Sequence, residues 1–209
     1  MEDIIYHLGK QGVVGIIRGD FSLAQLQAIT ETIAEGGVTV MEITLNTTNA
    51  LTAVAQLRQQ YDGQIIIGTG TVRTVAQLKQ SIEAGAQFSV APNFDRETVE
   101  TAVAQQFLHL PGIFTATEAE TAWRAGCRLL KLFPSDMMGP GYLKALRAPL
   151  DDVQFVPTGG ITPTNIGDYR RAGAFACGIG SALVTGPEQP LPELKQRATA
   201  LREAWEAAA

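Results

Sequence analysis

A single lysine interrupts an apolar run in the second half of the chain. Lys131 lies in the segment Cys127-Arg128-Leu129-Leu130-Lys131-Leu132-Phe133-Pro134. A run of this kind is typical of a strand buried on both faces, so we expect the amine to lie among side chains. Burial disfavours the ammonium form and lowers a lysine pKa by up to about 3–5 units. Lys131 is therefore a candidate nucleophile toward carbonyl groups; the alternative is a structural lysine that snorkels or pairs with a carboxylate.

A carboxylate has the same setting in an earlier predicted strand. Glu42 lies within the apolar run over residues 38–45, just ahead of the loop Asn46-Thr47-Thr48. Burial pushes a carboxyl group toward its neutral form and raises its pKa, which suits proton transfer. A buried ion pair between Glu42 and Lys131 is the structural alternative.

Glycine-rich segments follow the last two predicted strands. These segments are Val156-Pro157-Thr158-Gly159-Gly160-Ile161 and Gly178-Ile179-Gly180-Ser181. Each is predicted to enter a helix and to expose backbone N–H groups, which favours phosphate binding. Combined with Lys131 and Glu42, they indicate a phosphorylated ketone that forms a Schiff base, after which a neighbouring carbon–carbon bond is cleaved without a metal.

The order of the predicted elements indicates how these residues are brought together. Short apolar runs alternate with amphipathic stretches eight times, after a short leading helix over residues 2–10. We predict an α/β fold, a single (β/α)8 TIM barrel spanning residues 1–209, in which the carboxyl ends of the strands share one mouth. An open doubly wound sheet is the alternative, but the loop after the first strand lacks a glycine-rich dinucleotide fingerprint.

A recurring glycine supports this alternation. Gly37, Gly85, Gly126 and Gly173 each stand just before a predicted strand. Their spacing corresponds to two strand–helix units, and each is predicted to end a helix.

The composition argues against nucleic acid and membranes as partners. The formal net charge is −5, so no basic surface is expected. No leader sequence or membrane span is evident, which predicts a soluble cytoplasmic protein. Cys127 and Cys177 each begin an apolar run and are expected to be small buried residues, and His7 and His109 are far apart, so neither a disulfide nor a metal site is expected.

Together these segments resemble the 2-keto-3-deoxy-6-phosphogluconate (KDPG)/4-hydroxy-2-oxoglutarate (KHG) aldolase family along nearly the whole chain. The segments that carry the resemblance are Glu42-Ile43-Thr44-Leu45, Gly68-Thr69-Gly70-Thr71-Val72, Ala91-Pro92, Leu110-Pro111-Gly112, Lys131-Leu132-Phe133-Pro134, Pro157-Thr158-Gly159-Gly160-Ile161 and Gly180-Ser181. The resemblance implies a cofactor-independent class I aldolase, typically a homotrimer. Such enzymes yield pyruvate and glyceraldehyde 3-phosphate in the Entner–Doudoroff route, and some members also cleave KHG.

The resemblance also assigns roles to residues. It makes Lys131 the Schiff-base lysine and Glu42 the acid and base. It also places Thr71, Pro92 and Phe133 around the pyruvyl group. Gly159, Gly160 and Ser181 are carried over in the same way to the phosphate site, together with Gly180, which precedes Ser181 in the sequence.

The chain departs from the family pattern at one substrate-binding position. Well-known members carry an arginine four residues after the glutamate to hold the pyruvate carboxylate, whereas this chain has Asn46. Arg18, at the end of the first predicted strand, is the candidate replacement, because a guanidinium binds a carboxylate through two parallel hydrogen bonds. Its alternative is a solvated loop arginine. Members acting on the galactonate epimer share the asparagine, so the C4 configuration of the substrate stays open.

Two other functions fit part of the pattern. A sugar-phosphate epimerase or phosphate-binding synthase would use the glycine segments but would not need Lys131. A metabolite sensor without catalysis would fit the departure at Asn46.

Overall fold

The computed structural model describes residues 1–208 as an α/β fold in which helices alternate with parallel strands. The strands are β1 (Val13–Ile17), β2 (Val40–Thr44), β3 (Ile66–Gly70), β4 (Phe88–Val90), β5 (Leu108–Leu110), β6 (Gly112–Ile113), β7 (Leu129–Leu132), β8 (Gln154–Pro157) and β9 (Cys177–Ile179). The helices are α1 (Glu2–Gln11), α2 (Leu23–Glu35), α3 (Ala50–Gln60), α4 (Val75–Glu83), α5 (Arg96–Ala104), α6 (Ala116–Arg124), α7 (Gly139–Arg147), α8 (Ile166–Arg171) and α9 (Leu191–Glu206). The predicted α/β class and the leading helix are confirmed.

The strands pair as two parallel sheets. One curled sheet has the order β5-β4-β3-β2-β1-β9, and the other has the order β6-β7-β8. One of the eight predicted strands, the run over residues 107–112, is wrong as a single element, because Pro111 has no N–H and separates β5 from β6. The Pro111 carbonyl still accepts a hydrogen bond from the Lys131 N–H at 2.9 Å. An isolated parallel bridge joins Thr158 to Gly178.

Alternate residues along the strands face two different cores. Val40 and Leu129 belong to an interior cluster, whereas Met41 packs in an outer cluster against the helices. Because successive side chains in a strand point to opposite faces, Glu42 shares the interior face with Val40 and Lys131 shares it with Leu129. The other buried members of the interior cluster are Leu8, Val14, Phe88, Val90, Leu108, Leu110, Val156 and Ala176.

Helix α1 covers the amino ends of the strands. Leu8 is fully buried in the interior cluster, and Ile4 and Ile5 pack against the same cluster. Gly9 faces the Phe175 ring so closely that an added Cβ would lie 2.7 Å from it. The helix therefore closes the interior at the end opposite the glycine-rich segments.

The glycines predicted to end helices do so. Gly37, Gly85, Gly126 and Gly173 have φ angles of 89°, 82°, 96° and 94°. Only glycine adopts this left-handed conformation at little cost, and each one turns the chain from a helix into the next strand. Both cysteines are buried, as expected. Within residues 1–208, no helix has the length and apolar character that crossing a bilayer requires.

The buried His109 is expected to make the stability of the fold depend on pH. Its Nδ1 lies 2.7 Å from the Ser89 hydroxyl, and burial, partly offset by Asp95, lowers the pKa of His109 to about 4. In the unfolded chain the pKa is about 6.5, so the unfolded state takes up a proton first as the pH falls. We expect about 3 kcal/mol of stability present above pH 6.5 to be lost between pH 6.5 and 4, measured by urea unfolding.

Glutamine variants separate this histidine from other titrating groups. His109→Gln should flatten the pH dependence of the unfolding free energy in that range. His7→Gln, at an exposed position on α1, should leave it as in the wild type. Equal pH dependence in wild type and His109→Gln would contradict the assignment.

Candidate active site

Lys131 and Glu42 lie together in the apolar interior. Lys131 is 4% exposed and Glu42 is 1% exposed. In the strand register, Lys131 lies beside Val156 and Glu42 beside Ile16, and both side chains line one narrow void of about 10 Å³. Among the described residues they form no ion pair with each other. The two ionisable groups thus line one buried space without neutralising each other by direct contact.

The surroundings of Lys131 favour its neutral amine. Burial lowers the pKa of Lys131; the carboxylate of Glu42 opposes this shift, and the nearby Arg18 guanidinium adds to it. The Phe133 ring, whose centre lies 4.8 Å from the amine nitrogen, also opposes the shift, because an aromatic face attracts a cation. A lysine in this state can attack a carbonyl carbon.

The surroundings of Glu42 favour its protonated form. Burial raises the pKa of Glu42, and Lys131 and then Arg18 oppose the rise. Its buried Oε1 has no hydrogen-bond partner within residues 1–208. Gly70 makes room for this carboxyl group, because a Cβ at position 70 would lie 2.6 Å from Oε1. A carboxyl group with a free oxygen and a raised pKa suits proton transfer to and from a substrate.

A cleft of about 260 Å³ opens above Lys131 at the carboxyl ends of the strands. It brings together predicted site residues from the ends of β1, β7, β8 and β9. These residues are Arg18, Lys131, Phe133, Gly159, Gly160, Gly180 and Ser181.

Unpaired backbone donors border this cleft. The N–H groups of Gly159, Gly160, Gly180 and Ser181 donate to no protein acceptor within residues 1–208. Gly159 and Gly160 have φ angles of 105° and 64°, which favour glycine, and turn their amides away from the strand ladder. Such a group of amides can bind an oxyanion.

These amides belong to turns that precede the regular helices and not to the first turns of those helices. After β8 the chain forms a loop, and α8 begins only at Ile166. After β9 the N–H groups of Leu183 and Val184 bond to the Gly180 carbonyl and make a single helical turn, while α9 begins at Leu191. The Asn165 and Ile166 N–H groups both donate to the Thr162 carbonyl, so a turn leads into α8.

Arg18 is exposed, yet it borders the same cleft as Lys131. Its guanidinium has no hydrogen bond or ion pair in the part of the chain that the structure describes. It is therefore a cation available to a bound anion, and its charge reaches both Lys131 and Glu42.

Three predicted substrate-binding residues lie apart from this cleft. Asn46, Thr71 and Pro92 follow the carboxyl ends of β2, β3 and β4, on the same side of the sheet, but line neither the cleft nor the void. Thr71 has a φ angle of 60°, which is uncommon for a β-branched residue. Strained backbone of this kind gathers at functional sites.

Thr158, a residue with no predicted role, lines both the cleft and the void beneath it. Its hydroxyl occupies space left by Gly178, whose added Cβ would lie 2.4 Å from Oγ1. Its position between Pro157 and Gly159, inside a segment already singled out, was the available signal.

Comparison with known proteins decides the family. The sequence profile described as "KDPG and KHG aldolase" matches residues 4–192. The chain belongs to the KDPG and KHG aldolase family. The prediction of an aldehyde-lyase is thereby confirmed.

Members with different substrates are similar to this aldolase. It is 34% identical to the 2-dehydro-3-deoxy-6-phosphogalactonate aldolase of Escherichia coli K12 over 94% of this chain and 95% of that protein. It is 36% identical to the 2-dehydro-3-deoxy-phosphogluconate aldolase of Pseudomonas aeruginosa over 74% of this chain and 70% of that protein. A KDPG aldolase structure from Legionella pneumophila, with pyruvate captured as a covalent carbinolamine, superposes with a TM-score of 0.81 at 27% identity, covering 97% of this chain and 96% of that one.

Gly70→Ala tests the space reserved for the Glu42 carboxyl group. The added methyl group would displace this carboxyl or the Thr44 methyl, which lies 2.9 Å from the new Cβ. We expect aldol turnover to fall about 10- to 100-fold, since small misplacements of a catalytic group are costly. The rate of pyruvate release, followed with lactate dehydrogenase, measures it.

Gly141→Ala is the matched control, because nothing lies within 4 Å of its added Cβ. It should turn over at the wild-type rate. Full activity of folded Gly70→Ala would contradict the place given to Glu42.

Proposed function

We propose that this protein is a class I aldolase that cleaves a 2-keto-3-deoxy-6-phosphohexonate to pyruvate and glyceraldehyde 3-phosphate. One observation carries the proposal. A buried lysine with a lowered pKa lies at the floor of a cleft, beside a buried carboxyl group, and unpaired backbone amides border the same cleft.

Lys131 performs the covalent steps. Its neutral amine adds to the C2 carbonyl to give a carbinolamine, which loses water to form a protonated imine. The apolar interior supports this step, because burial lowers the pKa of Lys131 and so favours its uncharged, nucleophilic form. The imine then accepts the electron pair of the C3–C4 bond as that bond breaks.

Glu42 moves the protons. As a carboxylate it takes the proton of the C4 hydroxyl, which becomes the aldehyde oxygen when the C3–C4 bond breaks. As an acid it protonates C3 of the remaining enamine, and water then hydrolyses the imine to release pyruvate and free Lys131. A raised pKa lets one carboxyl group perform both tasks near neutral pH.

The two anionic ends of the substrate have separate partners. Arg18 binds the carboxylate next to C2, and Phe133 lines the cleft beside the pyruvyl group. Asn46, Thr71 and Pro92, at the same edge of the sheet but outside the cleft, stay predicted pyruvyl contacts. The amides of Gly159, Gly160, Gly180 and Ser181 bind the phosphate. The Asp136 carboxylate packs against Gly160, so we expect it to limit how negatively charged a group this end accepts.

Two candidate substrates, the gluconate and the galactonate compounds, differ in their configuration at C4. The sequence favoured the gluconate substrate, and cleavage of KHG to pyruvate and glyoxylate would use the same Lys131 chemistry. The galactonate epimer is supported by Asn46 and the free Arg18, and by similarity over most of the chain to a galactonate aldolase.

The higher-order organisation is also a proposal. The Thr158–Gly178 bridge and the strand division at Pro111 support closure of the two sheets into one (β/α)8 barrel. A single domain over residues 1–209, a homotrimer and a cytoplasmic location stay predictions.

Trapping with borohydride tests the mechanism. Wild-type protein incubated with pyruvate and sodium borohydride should gain a reduced adduct that maps to Lys131 by peptide mass spectrometry. Lys131→Ala should form no adduct and lose turnover, whereas Lys144→Ala, at an exposed position of α7, should behave as the wild type. If Lys131→Ala keeps the turnover of a sugar phosphate, the protein would be an epimerase or a synthase. If the wild type binds the ligand but releases no pyruvate, it would be a sensor.

Kinetics with both epimers tests the substrate. We expect kcat/KM for the galactonate substrate to equal or exceed that for the gluconate substrate, because this chain pairs Asn46 with a free Arg18. A gluconate preference of tenfold or more would assign the enzyme to the Entner–Doudoroff substrate instead.

A further inference from the structure

We infer that the hydroxyl groups of Thr44 and Thr47 position Arg18 as the part of the site that selects carboxylate-bearing ketones. This inference rests on the proposed aldolase function and adds two positioning residues to it. Both threonines are buried, at 0% and 5% exposure, at the end of β2 and in the loop that follows it.

The hydroxyl pair holds both peptide groups that flank Arg18. The Thr44 and Thr47 hydroxyls lie 3.0 Å apart, and each has the Ile17 carbonyl within hydrogen-bond distance, at 3.4 and 3.3 Å. With one proton each, either both hydroxyls donate to this carbonyl, or one donates to it and the other donates to its neighbour. The Gly19 N–H donates to the Thr47 hydroxyl at 3.4 Å. The carbonyl before the Arg18 Cα and the amide after it are therefore both anchored to the β2 loop.

The anchoring continues along the same two loops. The Thr48 N–H donates to the Gly19 carbonyl at 3.3 Å, and its hydroxyl donates to Asp20 at 2.6 Å. The loop that carries Asn46 is thus joined to the loop that carries Arg18. The backbone near position 46 is therefore held close to the backbone of Arg18, although the Asn46 side chain does not line the cleft.

This arrangement fixes the backbone and leaves the guanidinium free. Arg18 has no protein partner among residues 1–208, so its direction depends on its backbone and on the cleft wall. Ordering a residue around a bound anion costs conformational entropy of both its backbone and its side chain. Because the backbone around Arg18 is already held by hydrogen bonds, only the side-chain part of that cost remains on binding. Bidentate binding of a carboxylate also demands a defined orientation of the guanidinium plane.

The charges in the cleft indicate which ligand binds more tightly when the Arg18 backbone is fixed. Arg18 and Lys131 are the basic side chains that line the cleft. Arg18 is the one placed near its opening, whereas Lys131 is buried at its floor. A ketone with an adjacent carboxylate places one anion near Arg18 while its carbonyl reaches Lys131. An uncharged ketone of similar size gains nothing from Arg18.

Thr47→Val tests the inference, since it removes the hydroxyl and keeps the shape. Borohydride trapping is measured against the concentration of pyruvate and of methyl pyruvate, which has no charge. We expect the half-saturating pyruvate concentration to rise about five- to tenfold, with the maximal extent of adduct unchanged and methyl pyruvate trapping unaffected. Thr47→Ser restores the hydroxyl and should restore the wild-type value.

Two further variants distinguish positioning from general damage. In an Arg18→Ala background, Thr47→Val should add no further effect on pyruvate, because the two changes act through one interaction. Thr32→Val, which removes a buried hydroxyl bonded to Ala28 on α2, should leave trapping unchanged. An equal loss for methyl pyruvate, or a full Thr47→Val effect without Arg18, would overturn the inference. Failure of the wild type to form any Lys131 adduct would instead reject the proposed function.

Discussion

The cost of burying two ionisable groups in an apolar interior governs this structure. Lys131 and Glu42 are almost inaccessible to water and form no ion pair with each other among the described residues. Each group reduces its desolvation cost by moving toward its neutral form, since an unpaired buried charge is among the most expensive features a protein can hold. The reactivity of the site and the energetic burden on the fold are therefore the same physical effect.

Small residues around the pair make this burial geometrically possible. Gly70 leaves room for the Glu42 carboxyl group, and Gly178 leaves room for the Thr158 side chain. Gly68 does the same for the Phe88 ring, which an added Cβ would approach to 2.5 Å. Each of these larger side chains fills the space that a neighbouring glycine leaves, so the interior stays closely packed around the buried pair.

The features that sequence predicted are those with a local cause. Lys131 and Glu42 stood out because an apolar run with one charged residue is unusual, and strand alternation then placed both on the interior face. The helix-ending glycines were readable because helix termination depends on the conformation of one residue. The division of one predicted strand at Pro111 depends on partners in other parts of the chain, because β5 pairs with β4 whereas β6 pairs with β7. The hydroxyl pair that holds the Arg18 backbone joins two loops, and neither loop alone reveals it.

Helix α1 has a consequence for how molecules reach the buried pair. Because Leu8 and its neighbours seal the far end of the interior, a ligand reaches Lys131 and Glu42 from the cleft at the carboxyl ends of the strands, within residues 1–208. In the aldolase reaction proposed for this cleft the aldehyde leaves first in any case, because the pyruvyl group stays covalently attached until its imine is hydrolysed. The water for that hydrolysis then enters by the route that the aldehyde has just vacated, so a plug at the opposite pole of the molecule makes product exit and water entry consecutive events.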